Sequence, residues 1–238
     1  MTLTTSTSLA TTVGAIELVV LDMAGTTVRD DGVVERAFAR AAQETGVAQR
    51  MPWPEALAYV RETMGQSKIE VFRHLADGDE ALAQSAVHAF ELAYADLIAT
   101  EGVEEITGAR RTLELLKAAG VSVVLTTGFA PATRDAILDG LAWDGLVSAA
   151  LSPVDVGRGR PAPDLVLAAA LRAQVSHVEA VVVVGDTTSD IASGRAAGAG
   201  LVVGVLSGAH DRAALEAAGA DAVIADITAL PALLGIDA

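Results

Sequence analysis

Four short runs of continuous apolar sequence constrain the fold of this chain most tightly: IELVVLD (16–22), VSVVLTT (121–127), AVVVVGD (180–186) and GLVVGVL (200–206). Each is rich in β-branched residues and bounded by turn formers. Continuous rather than alternating hydrophobicity marks strands buried on both faces, as in a parallel sheet. Helical periodicity fills 108–119, 131–141, 163–173 and 189–198. This alternation predicts an α/β, doubly wound parallel sheet of Rossmann-like form, with its site at the carboxyl ends of the strands.

One interval breaks the alternation. Residues 31–104 contain no convincing strand, and four helical segments follow one another with breaks at Gly46, Pro52, Gly65 and Gly78. The expected organisation is a helical cap, 31–104, inserted into a core made of 14–30 and 105–238. Because the insertion leaves just after Asp22–Thr27, it is expected to sit over the end of the first strand as a lid. Residues 1–13 read as a flexible polar leader that lacks the basic and apolar regions of a signal peptide.

Composition narrows the partners. Hydrophobic residues make up 52% of the chain but aromatics only 3%, so the core must be built mostly from Ala, Val and Leu. A formal charge of −15 argues against nucleic acid or an anionic membrane. It leaves open a small anionic substrate held by a local cationic pocket. No run approaches the length of a membrane-spanning helix. With no cysteine, disulfides and thiolate metal sites are excluded, and a cytoplasmic setting is expected.

The strand ends carry the chemistry. Asp22 closes the first run, Thr126, Thr127 and Gly128 close the second, and Gly185–Asp186 close the third, with Asp190 four residues on. GRGRPAP (157–163) adds Arg158 and Arg160. On one rim of a parallel sheet these residues supply a nucleophilic carboxylate, hydroxyl and amide donors for a phosphoryl group, a fixed cation, and further carboxylates. Hard oxygen ligands without nearby His or Cys favour Mg²⁺ over zinc.

In this order, the four strand ends resemble those of the haloacid dehalogenase (HAD) superfamily, and the resemblance runs over nearly the whole chain from residue 14. It implies an aspartyl-phosphate intermediate at Asp22 and Mg²⁺ held by Asp22, the Ala24 carbonyl, Asp186 and Asp190. In that superfamily the first motif is normally Asp-x-Asp, the second acid protonating a leaving alkoxide. Here it reads Asp22–Met23–Ala24–Gly25–Thr26–Thr27, and an alanine methyl cannot do this. DxAGTT is similar to the phosphonoacetaldehyde hydrolase (phosphonatase) branch, which cleaves a carbon–phosphorus bond. Arg160 matches that branch too, standing where other relatives use Lys.

Cleavage of a C–P bond needs an electron sink, which a lysine supplies by condensing with an aldehyde. The chain has two lysines. Lys117 lies in the last turn of a helix, where a cation is favoured on electrostatic grounds alone. Lys68 lies in TMGQSKIEVFR, similar to the MGxxK string that carries the Schiff-base lysine of that branch, with Met64 and Gly65 matching. Val71, Phe129 and Met23 stand where that branch carries His, Tyr and Trp. The resemblance implies a small phosphonate or phosphate substrate and a homodimer formed through the cap. Two other readings stay open: a phosphatase for a small phosphorylated metabolite, and a catalytically poor phospho-ligand-binding relative. His74, His88, His177 and His210 read as structural or solvated, with His74 worth locating because it follows Lys68 by six residues.

Overall fold

The computed structural model describes residues 16–49, 51–143 and 145–236; the expected leader, 1–13, lies outside them. Among the described residues the strands are β1 (Leu18–Asp22), β2 (Ser122–Thr126), β3 (Ala149–Leu151), β4 (Val181–Gly185), β5 (Leu201–Val205) and β6 (Ala222–Ile224). The four apolar runs are thus all strands, and two three-residue strands unmarked by such runs complete the sheet.

All strand pairs are parallel, in the order β3-β2-β1-β4-β5-β6. The chain steps outward from β1 to β3, then crosses back to β4 on the other side of β1. That reversal opens a crevice at the carboxyl ends of β1 and β4, where doubly wound sheets bind ligands. Register brings the polar ends level: Asp22 pairs with Thr126, and Leu21 with Val184.

Alternate residues of each strand feed two apolar layers, as the pleat requires. Val19, Leu21, Val123, Leu125, Val182 and Val184 face one core. Leu18, Val20, Val124, Val181 and Val183 face the other, with Leu165, Val166, Ala169 and Ile191.

Ten helices accompany the sheet among the described residues: α1 (Val33–Thr45), α2 (Trp53–Glu62), α3 (Lys68–Leu75), α4 (Glu80–Glu101), α5 (Ala109–Ala118), α6 (Pro131–Leu141), α7 (Asp164–Ala173), α8 (Thr188–Ala197), α9 (Arg212–Ala217) and α10 (Leu230–Leu233). Leu165, Val166 and Ala169 come from α7 and Ile191 from α8. No described helix is long and apolar enough to cross a membrane.

Helices α1–α4 lie between β1 and β2 in sequence. The chain leaves and returns side by side: Arg29 N–H donates to Glu104 O at 2.9 Å, and Ile106 N–H to Thr27 O at 2.9 Å. Asp79 caps the start of α4, its carboxylate accepting from Leu82 N–H at 3.1 Å. It buries Ala83, Ala86, Ala89, Phe90, Ala93, Tyr94 and Leu97, a stripe at helical spacing.

The scarce aromatics are concentrated. All four phenylalanines of the chain, Phe38, Phe72, Phe90 and Phe129, join Tyr94 in one cluster, with ring centroids 4.6–6.3 Å apart. Four of the five come from the helical insertion. Phe129 comes from the loop after β2, so the cluster fastens the insertion to the sheet's carboxyl rim.

Candidate active site

A cavity of about 260 Å³ occupies that rim, lined among others by Asp22, Lys68, Thr127, Arg160, Asp186 and Gly208. Asp22 is fixed by a tight turn in which the N–H groups of Thr26, Thr27 and Val28 all donate to Met23 O, at 3.2, 2.9 and 2.7 Å. Thr26 Oγ1 then donates to Asp186 Oδ1 at 3.1 Å, and Ala209 N–H donates to Asp186 Oδ2 at 2.7 Å. Asp190 caps its own helix, accepting from Thr187 N–H at 3.1 Å and Thr187 Oγ1 at 2.5 Å.

Arg160 Nη1 bridges this cluster, lying 2.6 Å from Asp22 Oδ1 and bonding Asp190 Oδ1 as well. Its Nε is buried with no acceptor among the described residues. Such a donor has a strong call for an oxyanion in the adjoining cavity.

Three buried carboxylates, Asp22, Asp186 and Asp190, place ligand oxygens within 4.8 Å of one another. Burial pushes Asp22 up to about 6 against the pull of Arg160, with Asp190 adding to the rise. Burial also holds Asp186 well above the usual carboxylate range, reinforced by the charges of Asp22 and Asp190. The backbone at Gly208 packs so closely on Asp186 that a Cβ there would lie 2.0 Å from Oδ2. A concentrated, all-oxygen negative site of this kind fits a hard divalent cation.

Lys68 enters from the insertion side, as the first residue of α3, and is 6% exposed. Its Nζ lies 5.5, 5.6 and 5.2 Å from the ring centroids of Phe38, Phe90 and Phe129. Burial, and then the charge of Arg160, bring its pKa down to about 8, against the opposing influence of Asp30, Glu91 and Asp22.

The loop carrying Lys68 is seated on the core at zero clearance. Gly65 has φ +83°, and a Cβ on it would meet Thr187 Oγ1 at 2.5 Å. A Cβ on Gly128 would meet Gln66 O, a backbone atom, at 2.5 Å. Gly128→Ala is therefore expected to lift the loop and lower kcat/KM by about 10²-fold, the scale of a 1 Å misplacement. Steady-state kinetics beside a thermal melt check this; an unchanged kcat/KM would show that the contact does not set the geometry.

The sequence profile of haloacid dehalogenase-like hydrolases matches residues 16–198. The chain belongs to the haloacid dehalogenase-like hydrolase family. It is 31% identical over 201 residues to a phosphonoacetaldehyde hydrolase from Hahella chejuensis, a match spanning 78% of this chain and 66% of that protein. It is 29% identical to a phosphonoacetaldehyde hydrolase from Bacteroides fragilis, over 92% of this chain and 95% of that one. A β-phosphoglucomutase from Mycobacterium bovis is 34% identical over 56% of this chain and 52% of its own length. Among solved structures, a hydrolase from Pseudomonas syringae has a TM-score of 0.80 at 25% identity, covering 93% of this chain and 100% of that one. A phosphonoacetaldehyde hydrolase-like protein from Oleispira antarctica has 0.77 at 25% identity, covering 94% and 92%.

The haloacid dehalogenase-like site gathers Asp22, Ala24, Met64, Gly65, Lys68, Thr127, Gly128, Arg160 and Asp186 around one cavity. Thr126 and Asp190 lie outside the lining; Thr126 is buried at the end of β2, and Asp190 is bound to Arg160 and Thr187. Arg158 is at the surface, paired with Asp164 at 2.7 Å. His74 stacks on Tyr59 at 3.9 Å, away from the cavity, and His88 and His177 are exposed. His210 has a structural part, its Nδ1 accepting from Thr188 N–H at 2.9 Å.

Sequence reasoning missed Asp30, Glu35, Ser207, Gly208 and Ala209, all of which line the cavity. The last three follow β5 directly. The strand-end argument applied to the other three apolar runs would have found them.

Proposed function

We propose that this protein hydrolyses the C–P bond of phosphonoacetaldehyde or a close carbonyl phosphonate, with Asp22 as phosphoryl acceptor and Lys68 as Schiff-base lysine. The observation that carries this reading is a buried amine with no bonded carboxylate among the described residues, in the same cavity as Asp22, where Ala24 stands two residues after the nucleophile. An ester phosphatase needs an acid for its leaving alkoxide, whereas an enamine leaves without one. The likeness to phosphonoacetaldehyde hydrolases over most of the chain supports the same reading.

Lys68 Nζ condenses with the aldehyde, water departs and an iminium forms. An Asp22 oxygen attacks phosphorus in line, and the C–P electron pair passes into the C=C bond of an enamine. Protonation at carbon and hydrolysis of the regenerated iminium release acetaldehyde and the free lysine. A second water cleaves the aspartyl phosphate. Thr127 accepts Phe129 N–H at 3.2 Å through its oxygen, which leaves its O–H to donate to a phosphoryl oxygen beside the Gly128 N–H and Arg160. Bound Mg²⁺, held by Asp22, Asp186, Asp190 and the Ala24 carbonyl, would supply neutralisation of the charge where a carboxylate meets a phosphonate dianion. In this reading residues 31–104 are the cap that brings Lys68 to the core.

Borohydride added with phosphonoacetaldehyde is expected to reduce the iminium and leave a mass adduct on Lys68, while phosphate appears in its absence. No adduct, with phosphate esters hydrolysed instead, would overturn the proposal in favour of a phosphatase. Binding with no turnover of either class would point to a phospho-ligand-binding relative.

A further inference from the structure

We infer that Asp30 is the general acid–base that moves protons during imine formation at Lys68; the inference rests on the Schiff-base reading above. Among the described residues four carboxylates line the cavity, and three are committed elsewhere. Asp22 and Asp186 belong to the phosphoryl and cation end, held there by Arg160, Thr26 and Ala209. Glu35 is clamped by Arg61 through two bonds, at 2.7 and 2.8 Å. Glu91 also acts on the charge of Lys68, but it lies outside the lining and accepts from Ala130 N–H at 3.2 Å and from Thr133 Oγ1.

Asp30 remains. Its Oδ1 accepts from Val34 N–H at 3.0 Å near the start of α1, where Val33 N–H contributes as well, and among the described residues no ion pair holds it. A carboxylate has two oxygens with lone pairs beyond those a helix start uses, and Asp30 lines the same cavity as Lys68. Burial raises its pKa above the usual carboxylate range, and of the acids acting on Lys68 it has the largest influence. That suits a group which must both give and take a proton.

The balance is simple. Lys68 Nζ adds to the carbonyl carbon, and the C=O electron pair goes to oxygen, which takes the Asp30 proton. The Asp30 carboxylate then removes a proton from the cationic nitrogen and becomes an acid again. Its second donation turns the hydroxyl into water, which the nitrogen lone pair expels. One amine, one aldehyde and one proton give one iminium and one water, leaving Asp30 as the carboxylate opposite the iminium charge. Imine hydrolysis runs the same path in reverse.

The test is the rate of borohydride trapping on Lys68 with acetaldehyde, a probe that carries no phosphorus. Asp30→Asn and Asp30→Ser each keep an acceptor for Val34 N–H, so the helix start survives while the proton donor is lost. Both are expected to trap about 10²-fold more slowly than the wild type, with inorganic phosphate binding and melting temperature unchanged. Trapping within threefold of wild type in either folded variant would make Asp30 a helix cap only and overturn the inference alone. A wild type that forms no adduct would overturn the Schiff-base reading together with it.

Discussion

Lys68→Arg is expected to abolish phosphonate hydrolysis, by about 10⁴-fold or more, the scale of removing a covalent catalytic group. Arginine keeps the positive charge and the cation–ring contacts with Phe38, Phe90 and Phe129. It has no free amine to condense with an aldehyde. A phosphate-gripping cation would tolerate this change, so phosphate release from phosphonoacetaldehyde distinguishes the two roles, with a thermal melt to show that the variant folds. Normal turnover in the arginine variant would sink the Schiff-base mechanism.

The same residue sets a pH dependence. Only the neutral amine adds to a carbonyl, and a pKa of about 8 leaves about 1% of it neutral at pH 6. The trapping rate should rise roughly tenfold per pH unit below that value and level off above it. A lysine of ordinary basicity would keep rising beyond pH 9.

Asp22→Asn is expected to stop phosphate release from phosphonates and esters alike, by about 10⁴-fold or more, yet to leave imine formation intact. The amide offers phosphorus a far weaker nucleophile, while Lys68 and Asp30 are untouched. Borohydride with phosphonoacetaldehyde should therefore still mark Lys68. The fold should not suffer, because Arg160 keeps Asp190 and an asparagine oxygen can still accept from Nη1. Losing one of three mutually repelling carboxylates relieves the others, so the melting temperature should hold or rise. A variant that releases phosphate at the wild-type rate would exclude Asp22 as the phosphoryl acceptor.

Much of this site could be read from strand ends alone. Long β-branched runs announce themselves, and a parallel sheet forces their ends onto one rim, which brings Asp22, Thr127, Gly128 and Asp186 together. The edge strands AAL and AVI did not announce themselves, because three residues of modest hydrophobicity carry no period. Asp30 was invisible for a different reason. Its place in the cavity depends on how the linker between β1 and α1 turns, and an Asp-Asp-Gly stretch at such a junction has no local signature beyond a helix start. The ring cluster around Lys68 was hidden as well, since Phe38, Phe90 and Phe129 come from three separated segments that only the tertiary fold brings together.

The seating of Gly65 and Gln66 on Thr187 and Gly128 has a consequence for selectivity among aldehydes. The amine owes its lowered basicity to burial among rings that belong to both the insertion and the core. Any opening that lifts this loop returns Lys68 to water and to the ordinary lysine range, where it is almost fully protonated at neutral pH. A molecule in which this loop had lifted would thus carry an unreactive ammonium, so the seating itself is what keeps the amine reactive. A small aldehyde that enters the seated cavity would then meet the reactive amine with or without a phosphonate, so discrimination in favour of phosphonates would fall to Arg160 and the Thr127 loop at the phosphoryl step.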